Sequence, residues 1–235
     1  MMTRMTQKNR PLGVLMLETG FDRIPGDIGN PDTFDFPVIY RTVTGATSKR
    51  VVHQQDSGLI DLFAEAAADL VREGAVAITT SCGFLARFQF ELSARISVPF
   101  TASAIDYLNR LSDTHSSVAV ITADAGALNA NVLGPTALAP TAIVGMENSR
   151  AFRSAIIEET MKLDPAAVER EVVEVARQLA RQHPELDAVV LECTNLPPYR
   201  AAITEVLQIP IYDSVALARG LMADTVKDHG NAADT

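Results

Sequence analysis

Two residues in this chain have the chemistry of a nucleophile or proton carrier, and they occur in matched settings. Cys82 lies in Thr79-Thr80-Ser81-Cys82-Gly83-Phe84 and Cys193 in Leu191-Glu192-Cys193-Thr194-Asn195; the sequence has no other cysteine. Cys82 stands 17 residues before Pro99 and 21 before Ser103, and Cys193 stands 17 before Pro210 and 21 before Ser214. The doubled spacing implies two copies of one unit, with a thiol at the same address in each.

Each thiol follows an apolar run that reads as a buried strand and precedes a segment that reads as a helix start. In an open α/β sheet, ligands bind beyond the carboxyl ends of the strands, where both cysteines fall. Free N–H groups and the dipole of a helix start favour an anion, which predicts a thiol pKa lowered from about 8.5 towards neutrality. Gly83 permits close backbone approach, and Thr194 and Asn195 offer a hydroxyl and an amide. Two thiols facing each other across a cleft are suited to taking a proton from one face of a carbon and returning one to the other. One must be thiolate and the other thiol. No cofactor is required if N–H and hydroxyl donors stabilise the developing enolate. The plain alternative for either cysteine is a small buried hydrophobe. A redox pair is disfavoured by the separation in sequence.

The elements that must position these groups alternate. Expected strands are Leu12–Leu17, Val38–Val43, Ala75–Thr80 and Val98–Thr101 in the first half, then Val118–Thr122, Ala142–Gly145, Asp187–Leu191 and Pro210–Tyr212 in the second. Between them the apolar periodicity predicts helices over about 57–72, 85–94, 103–111, 127–133, 165–182, 199–207 and 215–226. Ser57 is read as a cap, Gly74 as a stop, and Asp164-Pro165 as a cap followed by proline at the first helical position. This rhythm implies an α/β fold of two pseudo-symmetric domains, each a parallel sheet flanked by helices, with the site in the cleft between them. The first domain is expected over 11–114 and the second over 115–226. The last helix is a candidate to pack back on the first half, and 1–10 and 227–235 read as frayed tails. Residues 20–37, rich in proline and glycine, form a long loop that is either functional or a structural wrap.

Composition narrows the partners. The chain has 235 residues, 47% hydrophobic and 21% charged, with a net charge of −9. That is ordinary for a globular protein with a full core. Acidic balance without basic clusters argues against nucleic acid or an anionic membrane surface as partner. No apolar stretch approaches the roughly 20 residues that span a bilayer, and the basic N-terminus lacks a signal-type apolar region. A cytoplasmic protein with reduced cysteines is expected. No cysteine or histidine spacing suggests a metal site. His53, His115, His183 and His229 are scattered and read as structural or solvated.

Ser81-Cys82-Gly83-Phe84 and Glu192-Cys193-Thr194-Asn195, on duplicated α/β halves, resemble the two cysteine motifs of the aspartate/glutamate/hydantoin racemase superfamily. The resemblance covers Leu12 to about Met222. It implies two pseudo-twofold α/β domains, proton transfer between two cysteines without pyridoxal phosphate, and a homodimer or higher assembly. Cys193-Thr194 follows the family's Cys-Thr. Gly83-Phe84 stands where amino-acid racemases carry Asn-Thr, Glu18-Thr19 where the family often has Asp-Ser, and Asn195 where glutamate racemases have His and aspartate racemases Glu. By this resemblance Cys82 and Cys193 are catalytic, and Thr19, Ser81, Gly83, Phe84, Thr122, Thr194 and Asn195 contact a small carboxylate substrate. Thr122 stands where family members place a threonine on the substrate carboxylate; a strand-end cap is its other reading, and Thr19 is equally open. Phe84 either walls the pocket or begins a core-facing helix. Glu192 is expected to point away from the cleft, because strand residues alternate faces. Arg23 and Asp27, in the long loop, either gate or bind substrate or, as the plainer reading, are exposed loop charge, and Arg87, Arg95, Arg170, Arg177 and Arg181 read as solvated helix surface.

The expected function is a cofactor-independent racemase or epimerase of an amino acid or related carboxylate. The same scaffold also hosts maleate isomerase-like and arylmalonate decarboxylase-like chemistry, and a catalytically silent ligand-binding relative is the third reading.

Overall fold

Among the described residues, eight short strands form two four-stranded parallel sheets of identical connectivity. The computed structural model describes residues 10–231, with side chains through residue 225. The first sheet contains β1 (Leu12–Met16), β2 (Val38–Thr42), β3 (Ala77–Thr80) and β4 (Phe100–Thr101), in the order β2-β1-β3-β4. The second contains β5 (Val118–Thr122), β6 (Ala142–Gly145), β7 (Ala188–Leu191) and β8 (Ile211–Tyr212), in the order β6-β5-β7-β8. Every pairing is parallel. Thus β1 corresponds to β5 and β3 to β7, and both cysteines follow equivalent strands.

The strands form where the chain is continuously apolar. All residues of β1, β3, β5 and β7 are buried, as parallel strands covered on both faces must be. The Leu59–Arg72 helix lays Leu59, Phe63, Ala66, Ala67 and Leu70 on the first sheet. Ser57 does not cap it: the cap is Gly58, whose N–H donates to Asp56 Oδ1 at 2.9 Å. At its far end Gly74 has φ +101°, which reverses the chain into β3. The Pro165–Gln182 helix starts at the expected cap, with the Ala167 N–H donating to Asp164 Oδ1 at 3.0 Å. The segment after Cys82 begins earlier than expected. It is a 3₁₀ helix, Gly83–Phe88, that becomes α-helical only over Gln89–Ser93.

One apolar core passes without a break from half to half. Leu15, Phe84, Leu108 and Ile105 share it with Val118, Val120 and Val190. The last helix, Ser214–Asn231, crosses back onto the first sheet, where Ala218 and Met222 join Leu12, Val14, Ile28 and Phe34. Its backbone continues past Val226, so part of the expected tail is helical. Residues 1–9 and 232–235 of the expected tails lie outside the described residues, as does the His229 side chain.

Among the helical turns with no counterpart in the sequence-based expectation, two are π-helical: Lys49–His53 after β2, and Arg153–Ile157 after β6. Each starts eleven residues after its strand does, Val38 to Lys49 and Ala142 to Arg153. They are a second repeated feature of the two halves, and both reach the cavity described next. π-turns recur at functional sites.

Candidate active site

The carboxyl ends of the two sheets enclose a cavity of about 380 Å³, lined by both cysteines. Cys82 caps the 3₁₀ helix Gly83–Phe88, and Cys193 stands two residues past the end of β7, after Glu192. Both are free and buried, at 9% and 7% exposure. The halves are tied directly beneath them: the Thr194 hydroxyl donates to the Ser81 carbonyl at 2.7 Å. The Ser81 hydroxyl in turn accepts from the Leu17 N–H at 3.0 Å, joining the ends of β1 and β3.

Of the residues expected at the site, Thr19, Ser81, Gly83, Phe84, Thr194 and Asn195 all line this cavity. Thr122 does not. It is fully buried, and its hydroxyl donates to Glu192 Oε2 at 2.6 Å. Phe84 fills both expected roles, lining the cavity from within the core.

The thiols do not sit in the acidifying setting that the sequence suggested. Burial pushes the Cys82 pKa up to about 12, and the neighbouring Glu192 carboxyl adds to the rise. The N–H groups of Phe84 and Leu85 and the Arg23 charge oppose it without winning. Burial and Glu192 also drive Cys193 well above the ordinary thiol value, against a single N–H from Asn195. The physical reason is burial: desolvation of the charged form, reinforced by the Glu192 carboxyl, outweighs the few N–H groups turned towards each thiol.

Four residues to which the sequence reading gave a plainer role, Glu192, Asp27, Arg23 and His53, lie at or against this cavity. Glu192 does not point away; its side chain is completely buried, touches the cavity wall and lies against Gly83. A Cβ at position 83 would collide with Glu192 Oε1 and with the Glu192 carbonyl oxygen. Gly83 is therefore needed to make room for this carboxyl. Burial raises the Glu192 pKa to about 7, with the Thr122 hydroxyl and the Ala123 N–H pulling the other way. Strand alternation misleads here because β7 ends at Leu191 and the other thiol is supplied by the opposite half.

Asp27 and Arg23 are not exposed loop charge either. Arg23 Nη1 and Asp27 Oδ1 are 2.8 Å apart, with side chains only 10% and 3% exposed. Arg23 stacks over the Phe21 ring at 4.7 Å and donates to Thr19 Oγ1 at 3.3 Å. Asp27 Oδ2 accepts from Asn195 Nδ2 at 2.7 Å, which turns Asn195 Oδ1 towards the Cys193 thiol, 3.6 Å away. Thus the long loop 20–37 orients the amide that holds Cys193. Lys49 and His53, from the first π-turn, stand at the cavity mouth, and Ile156 and Ile157 from the second close it. Among the basic helix residues, Arg95, Arg170, Arg177 and Arg181 are exposed, whereas Arg87 is half-buried with Nη1 lacking a partner.

Among the described residues, no three His, Cys, Asp or Glu side chains are placed to hold a metal ion, and no helix is long and apolar enough to cross a membrane.

Comparisons with known proteins bear on the family and the fold. The chain is 30% identical over 223 residues to a dimethylsulfoniopropionate lyase of Durusdinium sp. clade D, covering 90% of this chain and 73% of that one. It is 28% identical to dimethylsulfoniopropionate lyase 5 of Emiliania huxleyi over 92% of this chain, but spans only 46% of that longer protein. Among solved structures, unliganded arylmalonate decarboxylase superposes with a TM-score of 0.60 at 19% identity, covering 92% of each chain. Glutamate racemase of Francisella tularensis, in complex with D-glutamate, superposes with a TM-score of 0.57 at 20% identity, covering 95% of this chain and 83% of that one. At those identities the structures speak to the fold. The family model for Asp/Glu/hydantoin racemases matches residues 104–221. The chain belongs to the Asp/Glu/hydantoin racemase family.

Proposed function

We propose that this chain removes a proton from the carbon next to a carboxylate in a small substrate, and that the resulting carbanion expels a leaving group from the adjacent carbon. The observation that carries the reading is the pair of thiols, one from each half, on a single cavity. Around them, Arg23, Lys49 and His53 bring positive charge suited to a carboxylate, while Phe21, Phe84, Ile156 and Ile157 give apolar and aromatic walls. Such walls suit a methylated onium group, which aromatic faces bind. Dimethylsulfoniopropionate carries both groups, and both lyase relatives bear its name.

In this reading Cys82 is the base. Its thiolate has the better support, from the Phe84 and Leu85 N–H groups and the Arg23 charge. The α C–H bond breaks to Cys82, a C=C bond forms, and the C–S bond breaks to release dimethyl sulfide and leave acrylate. Cys193 stays a thiol, held by Asn195 Oδ1, and can donate to the carbanion.

Racemisation of an amino acid is the second reading, favoured because elimination needs one base and this cavity has two thiols. It starts with the same proton abstraction and ends with return of a proton by Cys193. Headspace gas chromatography with dimethylsulfoniopropionate separates the two readings when run beside an amino-acid panel in D₂O. Dimethyl sulfide release with no α-deuteration of amino acids is expected. Deuterated amino acids without dimethyl sulfide would replace elimination by racemisation.

A further inference from the structure

Glu192 is a carboxyl with no cationic partner, sealed behind two thiols. Its exposure is zero, and among the described residues no Arg, Lys or His is paired with it. Oε2 accepts the Thr122 hydroxyl, but Oε1 is buried without a hydrogen-bond partner. That oxygen lies beside Gly83, adjacent in sequence to Cys82, while Glu192 is itself adjacent to Cys193. An unpartnered carboxylate oxygen in such a place is costly. The arrangement is explained if the oxygen exchanges a proton with the thiols.

We propose that Glu192 and the two thiols form one buried acid cluster carrying a single negative charge, so that a thiolate exists only while the Glu192 carboxyl holds the proton. When the thiolate forms, an S–H bond breaks and an O–H bond forms at Glu192 Oε1, the oxygen that Thr122 leaves free. The net charge of the cluster does not change. Placing a second negative charge in this desolvated space is disfavoured, as for any pair of close buried acids. Glu192 thus acts through the thiols, as a positioning residue for the proposed proton transfer. The inference rests on that reaction for its purpose, but its test requires no substrate.

The other charged groups facing the cluster are Arg23 and Asp27 from the long loop, Asp124 after β5, and Lys49 and His53 from the first π-turn. The Arg23 charge favours the Cys82 thiolate, and Asp27 opposes the Cys193 thiolate.

The test is the rate of iodoacetamide alkylation against pH, measured in the wild type and in Glu192→Gln, each also in Cys82→Ser and Cys193→Ser backgrounds. Glu192 titrates at about 7. Below that pH it is neutral in the wild type and the two profiles coincide. Above it, the wild-type rate levels off, because thiolate formation then requires the proton to move onto Glu192. The Gln variant keeps rising tenfold per pH unit, so it alkylates about 10-fold faster at pH 8 and about 100-fold faster at pH 9. Parallel profiles, or a Gln variant slower than wild type, would overturn the inference. So would loss of the break in His53→Gln, which would assign it to the histidine. If Glu192→Gln does not fold, Thr122→Val decides: without its hydroxyl the break moves to higher pH, and an unmoved break refutes the assignment. Levelling seen without turnover of any substrate would sink the proposed reaction and leave the cluster standing.

Discussion

Replacing Asp27 by alanine tests whether the long loop is part of the site. Asp27 is 2% exposed and accepts from Arg23 Nη1 at 2.8 Å, Asn195 Nδ2 at 2.7 Å and the Gly29 N–H at 2.7 Å. Asp27→Ala leaves the Arg23 guanidinium without its counter-charge while the side chain stays nine-tenths buried. Removing one partner of a buried pair costs about 3–5 kcal/mol, much of it the stranded charge. The orphaned Asn195 amide and Gly29 N–H push the value towards the upper end, though such terms do not simply add. Urea unfolding of wild type, Asp27→Ala, Arg23→Met and the double variant measures it. The double variant should recover roughly 1 kcal/mol or more of the loss, because no charge is left stranded. The same cycle has a functional readout: Asn195 is free to turn in Asp27→Ala, so turnover should fall even where the protein is fully folded. A loss of less than about 1 kcal/mol in Asp27→Ala, with no recovery in the double variant, would refute a buried, structurally coupled loop.

Gly83→Ala should be more damaging than its size suggests. The added methyl meets both the Glu192 carboxyl and its carbonyl oxygen, and overpacking of this kind costs about 1–3 kcal/mol or more where backbone cannot retreat. Thermal melts should show the loss together with inactivity, and an unchanged melting temperature would mean that Glu192 lies elsewhere. Glu192 also sets a pH dependence of stability. Its folded pKa, about 7, lies above the ordinary 4.5, so the native state binds more protons than the unfolded chain between those values. The resulting stabilisation is fully present below pH 4.5 and is lost as pH rises through 7, amounting to about 3 kcal/mol. Unfolding free energies from urea titrations at about pH 4 to 8 should fall by that much more in the wild type than in Glu192→Gln, and equal pH dependence in both would contradict the assignment.

The strands were legible because parallel strands buried on both faces must be continuously apolar, as in Val118–Thr122, whose bounds match expectation. The Pro165–Gln182 helix was equally plain, with cap, proline and apolar stripe all in one segment. The thiols were found by spacing alone. What escaped depends on contacts distant in sequence. Asp27 meets Asn195 across 168 residues, and Thr122 meets Glu192 across 70. The π-turns escaped because their period is not the 3.6 residues that apolar patterning reveals. The expected low thiol pKa failed because burial of both thiols and the neighbouring Glu192 carboxyl, neither visible in local sequence, outweigh the N–H groups of the helix starts.

Whether the two thiols move a proton at a carbon next to a carboxylate is read most directly by ¹H NMR of candidate substrates in D₂O, dimethylsulfoniopropionate first, with wild type, Cys82→Ser and Cys193→Ser. The wild type should form product or incorporate α-deuterium. Cys82→Ser should lose at least about 100-fold, at the low end of what general-base catalysis contributes, and Cys193→Ser should lose less. Undiminished reaction in the folded Cys82→Ser variant would contradict proton transfer by this pair.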